Sequence, residues 1–279
     1  MQPTIKSTRA SYSRVFLTFA RNSLVRNMTF RANFIIECIS SIAWMLMNFG
    51  FYVLVFQYTP SIGNTGWGKY EFFVFLATTL FVNSLVEAFF MPNAEEFSEL
   101  VRTGGLDFAL LKPIDTQFLV SLTKVDWSSF SNFAFAIVLL AYSLVNLDYS
   151  PNLLEVALYP IYILCGVMIM YSLMIILAAT SVWLGRNQTL YDFWFYITNF
   201  ARYPREIYRG PLGDPLRLAF TFFIPVLVVV NVPARLLALP MQQEYWYLAL
   251  FAILATAVCM VASRWMFVRA LEAYRSASS

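Results

Sequence analysis

The chain has 279 residues, 59% hydrophobic and 18% aromatic, with only 13% charged. A soluble domain usually carries about 25% charged residues, so the composition argues against most soluble enzymes. The net charge of +3 excludes a strongly basic nucleic-acid binder on balance, and the lack of histidine disfavours histidine triads and histidine-ligated metals.

Residues 1–31 hold Lys6, Arg9, Arg14, Arg21, Arg26 and Arg31 and no acid. Phe16, Ala20, Leu24 and Met28 recur at spacing four, while Arg14, Thr18 and Arg21 fall largely on another face. This pattern predicts a helix in the membrane interface, with Arg14, Arg21 and Arg26 among the phosphates. A basic segment before the first apolar run also marks the cytoplasmic side, and no secretory signal peptide is visible.

Apolar stretches long enough to cross a bilayer then recur at 34–56, 72–90, 130–145, 154–184, 220–239 and 247–268. Their hydrophobicity is too continuous for a membrane β-barrel, and lipid obliges them to be helices. The expected fold class is therefore all-α and polytopic, with six transmembrane helices. Glu37 sits near the inner start of the first span. Loop 57–69, rich in Gly, Ser, Thr and Pro, suits the outer side. Within it Gly63, Gly68 and Lys69 match G-x4-G-K, but Tyr70 stands where a Mg²⁺-binding Ser or Thr is needed and no strand precedes it. It reads as an ordinary flexible loop.

The longest polar connector is 92–127. Glu95, Glu96, Glu99 and Arg102 surround Phe97, Leu100 and Val101 at helical spacing, and Gly104-Gly105 stops that helix. A second helical turn covers 106–111 and ends at Lys112-Pro113. The result is an amphipathic helix pair on the cytoplasmic side, presenting apolar knobs and charges to a partner. The third and fourth spans form a hairpin over loop 146–152, and 185–188 is a tight inner turn. Glu87, Lys124, Asp126 and Asp192 lie close to membrane depth, where ionisable groups are functional candidates, although each falls near the inner end of a span. No carboxylate pair or nucleophile elbow argues for catalysis. Cys38, Cys165 and Cys259 fall inside spans without metal-like spacing and read as small hydrophobes.

Stretch 189–240 supports two topologies. Arg202, Arg205, Arg209 and Arg217 place 189–217 inside by the positive-inside rule, making 218–239 the fifth span. Alternatively 189–203 is the fifth span, and 212–239, broken by Pro225 and Pro233, folds as a re-entrant helical pair. Arg264, Arg269 and Arg275 put the C-terminus inside in both cases.

The whole chain resembles the membrane subunit of an ABC-2-type ABC transporter. Residues 100–114 (Leu-Val-Arg-Thr-Gly-Gly-Leu-Asp-Phe-Ala-Leu-Leu-Lys-Pro-Ile) resemble the family's coupling segment. Residues 203–208 (Tyr-Pro-Arg-Glu-Ile-Tyr), Ile224-Pro225 and 232–237 (Val-Pro-Ala-Arg-Leu-Leu) are similar to its pattern between the fifth and sixth spans. The resemblance implies a single transmembrane domain over 1–279, with an interfacial helix at 1–31, a cytoplasmic coupling region at 92–127 and a re-entrant region at 204–240. It implies a permease subunit of an ATP-driven exporter, paired with a second permease, identical or homologous, in a bacterial-type inner membrane with both termini cytoplasmic. ATP and Mg²⁺ belong to separate ATPase subunits, leaving no cofactor, metal or catalytic residue here. Coupling would fall to Glu95, Glu96, Phe97, Glu99, Leu100, Arg102, Gly104, Gly105, Leu106, Lys112 and Pro113. Two other readings are a membrane-embedded lipid-modifying enzyme, using Asp126, Asp192 and Arg186, and a non-transporting scaffold.

Overall fold

The computed structural model of the chain describes residues 11–63, 65–184, 195–197 and 199–274, and every regular element among them is helical. α1 (Tyr12–Thr29) ends at Phe30, whose non-helical backbone turns the chain into α2 (Arg31–Tyr58). α3 (Lys69–Phe89) runs on into α4 (Met91–Thr103), so that an apolar rod becomes an amphipathic one. Gly104 ends α4 at φ +75°, a left-handed conformation that glycine adopts without a Cβ clash. α5 (Leu106–Leu110) and α6 (Thr116–Leu122) complete the connector. α7 (Phe130–Val145), α8 (Leu153–Ala179) and α9 (Ser181–Leu184) follow.

α8 starts at a capping box that the apolar pattern hides. The Asn152 side chain accepts from the Glu155 N–H at 2.9 Å, and the Glu155 carboxylate accepts from the Asn152 N–H at 2.8 Å. α10 (Gly213–Leu218) passes through a π turn at Ala219–Phe223. The chain then breaks at Ile224-Pro225 and bends by 87° into α11 (Val226–Ala238). α12 (Gln243–Ala273) closes the fold.

α2, the α3–α4 rod, α8–α9 and most of α12 are each long and apolar enough to cross a membrane, and the bent α10–α11 pair makes a fifth if it counts as one span. At 16 residues α7 is about 24 Å long, short of a hydrocarbon core of roughly 30 Å. Residues 213–238 are not one straight span, since Pro225 lacks the N–H that would carry a helix through the bend. The turn at 185–188 lies outside the described residues, as do 189–194 and 198 of the alternative fifth span at 189–203.

α11 is the centre of the core. All its residues except Arg235 are buried, and it packs on α8 and α3. Gly166 of α8 permits the approach, because a Cβ there would stand 2.9 Å from both the Val229 carbonyl oxygen and its Cγ1. α12 packs along α8, while α3 lies against both α7 and α8. The third and fourth apolar stretches are therefore not a closely packed hairpin: α7 rests mainly on α3 and α2. α2 is the loosest long helix. It leaves Ile36, Ile39, Trp44, Met47, Phe51 and Leu54 exposed.

Loop 57–69 is pinned at Trp67, which is fully buried and donates its indole N–H to Glu206 at 3.1 Å. Glu206 also accepts from Tyr245 Oη at 3.0 Å and from Arg235 at 3.2 Å, while the Arg235 guanidinium lies 3.3 Å from the Tyr245 ring centroid. This buried network joins the α2–α3 loop to α11 and α12 at the end of α3 opposite the connector.

Candidate functional site: the helical connector and the cavity beside it

α4 presents two faces. Ala94 and Phe97 point inward, and the Phe97 ring lies 5.5 Å from that of Phe267 near the end of α12. Leu106 and Ala109 of α5 are buried as well. Glu99 and Arg102 point outward and pair with each other, Arg102 Nε donating to Glu99 Oε2 at 2.8 Å. That hydrogen bond holds the Glu99 carboxyl below its usual range and raises Arg102.

The connector is tied to the bundle by directional bonds. Asp115 caps α6 by accepting from the Phe118 N–H at 3.0 Å. Arg264 of α12 donates to both Asp115 oxygens, at 2.6 and 3.1 Å, and to Gln117 Oε1 at 3.0 Å. Gln117 and Ser121 in turn reach Tyr171 Oη of α8, at 3.1 and 3.0 Å. Partial burial raises the Asp115 carboxyl, but Arg264 and the Phe118 N–H outweigh it and keep the carboxyl below its ordinary value. The returning segment 123–126 is stitched to the α3–α4 rod. Asn93 bonds the Lys124 backbone at both ends, 2.7 and 2.8 Å, and Asp126 N–H donates to the Ala88 carbonyl at 2.8 Å.

What remains exposed is a knob. Phe108 is 74% and Leu111 80% exposed, with Leu110, Lys112 and Pro113 exposed beside them. Of the residues expected to meet a partner, Glu99, Arg102, Lys112 and Pro113 stand at the surface. Glu95, Glu96, Leu100, Gly104 and Gly105 are half-buried, and Phe97 and Leu106 are buried in the chain's own core. Phe97 and Leu106 thus pack within the chain itself, and the exposed apolar side chains of this stretch are Phe108, Leu110 and Leu111. Helical spacing gathered the apolar side chains of α4 without telling whether they face the bundle or the surroundings.

α1 folds back onto the same region. Ser23 Oγ accepts from the Val125 N–H at 3.1 Å, Trp127 Nε1 donates to the Ala20 carbonyl at 3.1 Å, and Tyr12 meets Phe118 edge-on at 4.8 Å. Its inward face centres on Phe16, Phe19, Ala20 and Ser23, so the expected apolar stripe is split: Leu24 and Met28 point outward with Arg14, Arg21 and Arg26.

Of the candidates near membrane depth, Lys124 pairs with Glu96 at 2.9 Å rather than with Glu87. Asp126 holds the turn that leads into α7, accepting from the Ser128 and Ser129 hydroxyls at 2.7 Å each. Glu87, Lys124 and Asp126 line one cavity. Asp192, like Arg186, lies outside the described residues. No group of three or more metal-ligating side chains stands together among the described residues.

A family model described as ABC-2 family transporter protein matches residues 42–278. The chain belongs to the ABC-2 transporter family. No curated protein and no solved structure matches it. With its set of apolar membrane-length helices, this ABC-2 protein is an integral, multi-pass membrane protein. Family membership marks it as a permease of an ABC transporter, a transport subunit rather than an enzyme, and ABC ATPases are the family's general partners.

Proposed function

We propose that this chain is one permease of an ATP-driven ABC exporter, forming half of the translocation path with a second permease and coupling through α4–α5 to separate ATPase subunits that bind ATP and Mg²⁺. The connector lies on the cytoplasmic face of a bacterial-type inner membrane, with both chain ends on that side. α1 lies along the interface, its outward arginines facing headgroups. In the six-span account α7 is the third crossing, the stretch around 189–203 the fifth and α12 the sixth, and the bent region within 204–240 re-enters from outside.

The observation that carries this reading is the knob at Phe108 and Leu111. It is apolar and exposed, it lies within a polar connector, and the α6 segment that directly follows it is tied by Arg264 and Tyr171 to α12 and α8. A push on it therefore moves the long helices rather than bending a loose loop. The exposed ion pair beside it tests the reading. Charge reversal at Glu99→Arg and Arg102→Glu disturbs no buried contact, and an exposed pair contributes little to stability. The variant is expected to stay folded while ATPase capture and ATP-driven transport fall. Unchanged capture and transport would count against the coupling role.

A further inference from the structure

Two cavities meet between α2 and α3. The first, about 210 Å³, reaches from Glu87 up to Tyr52 and Arg202, and the second, about 760 Å³, opens toward α1 and the connector. They share Ser41, Trp44 and Glu87.

Both walls are encoded by helical spacing. On α2, Glu37, Ser41, Trp44, Asn48 and Tyr52 recur every three or four residues, and on α3 Thr79, Asn83 and Glu87 recur every four. Each set lines one face. Such polar stripes on otherwise apolar helices are costly unless something satisfies them. Ser41 is satisfied by Asn132 at 3.0 Å, Asn48 by the Trp44 carbonyl and Thr79 by the Phe75 carbonyl. The Asn83 and Glu87 side chains make no hydrogen bond or ion pair among the described residues.

The charge census gives the sign of the missing group. Glu37, Glu87, Glu95 and Asp126 line the larger cavity against Arg26 and Lys124, and Lys124 is already engaged by Glu96. Arg202 stands at the far end, beside Tyr52. An anion would meet carboxylates along most of the path. A neutral sugar would leave Glu87 uncompensated. The exposed Trp44 ring offers a π face along the same wall, and Tyr52, packed against Phe72 at 4.7 Å, lines its far end.

We propose that this double cavity binds an amphipathic organic cation, with its charge at Glu87 and Asn83 and its apolar body against Trp44 and Tyr52. This names a cargo class for the permease described above and rests on that reading.

The test uses the purified permease without its ATPase, in nanodiscs of zwitterionic phosphatidylcholine. The probe is radiolabelled tetraphenylphosphonium. Saturable binding is expected, weakened at least about ten-fold by Glu87→Gln and unchanged by Glu272→Gln, an exposed residue paired with Arg269 and lining neither cavity. Tetraphenylborate, of the same shape and opposite charge and assayed alone as its own labelled probe, is expected to show no saturable binding. Should Glu87→Gln fail to elute as a single species, Trp44→Leu supplies the same readout, since that side chain is 61% exposed and holds no core contact. Absent saturable binding of the phosphonium, equal saturable binding of the borate when assayed alone, or wild-type affinity in the folded cavity variants would overturn the cation assignment. Because no ATPase is present, failure here is separable from failure of ATPase coupling, which would sink the permease reading itself.

Discussion

Aspartate at both Phe108 and Leu111 is expected to abolish ATPase capture while leaving the permease folded in the membrane. The two side chains are 74% and 80% exposed, so the substitutions cost the isolated chain almost no packing. A partner that covers them gains about 1.5–3 kcal/mol from each, and the variant loses both contributions and adds two charges to be desolvated. A loss of at least about 3 kcal/mol is two decades or more in affinity. Co-purification followed by size-exclusion chromatography reads the result. Phe97→Asp is the contrasting variant. It places a charge against Phe267 in the core, and it should fail to fold rather than fail to couple. Full ATPase capture by the Phe108/Leu111 double variant would remove the knob from the coupling surface.

The second large effect concerns the opposite end of α3. Glu206→Ala takes away the carboxylate that accepts from Trp67, Tyr245 and Arg235 at once. Arg235 and Glu206 have side chains only 12% and 9% exposed, so the arginine is left as a buried, uncompensated charge. Breaking a buried pair from one side costs roughly 3–5 kcal/mol. Thermal unfolding in detergent should show a large fall in Tm for Glu206→Ala. Glu206→Gln, which keeps a carbonyl acceptor, should lose less. Equal Tm values for wild type and Glu206→Ala would mean that the network holds nothing together.

Much of the architecture follows from one-dimensional patterns. Continuous apolar runs located α2, α3, α8 and α12, because lipid leaves a backbone no choice but to bond within its own helix. Gly104 marked the end of α4 because a left-handed turn is needed there. Other features depend on which element lies beside which, and helical spacing is blind to that. Phe97 and Phe108 are eleven positions apart in one amphipathic connector, yet one is in the core and the other at the surface. Arg264 looked like a topological anchor, and its bond to Asp115 spans 149 positions. Trp67 sat in what reads as a flexible loop, and its partner Glu206 is 139 positions away. The polar stripes of α2 and α3 were legible as spacing, since Thr79, Asn83 and Glu87 interrupt an apolar helix at every fourth residue. That they enclose a shared cavity required the packing of α2 against its neighbours.

The sidedness of the α5 knob decides most directly whether a separate motor drives this bundle. Cys38, Cys165 and Cys259 are free thiols and are first replaced by alanine, after which Leu111→Cys supplies a single exposed reporter. A membrane-impermeant maleimide is then added to intact cells and, separately, to inverted membrane vesicles. Labelling in the vesicles and none in the cells is the predicted result. Labelling of intact cells would put the knob beyond the reach of any ATP-hydrolysing partner and contradict the account.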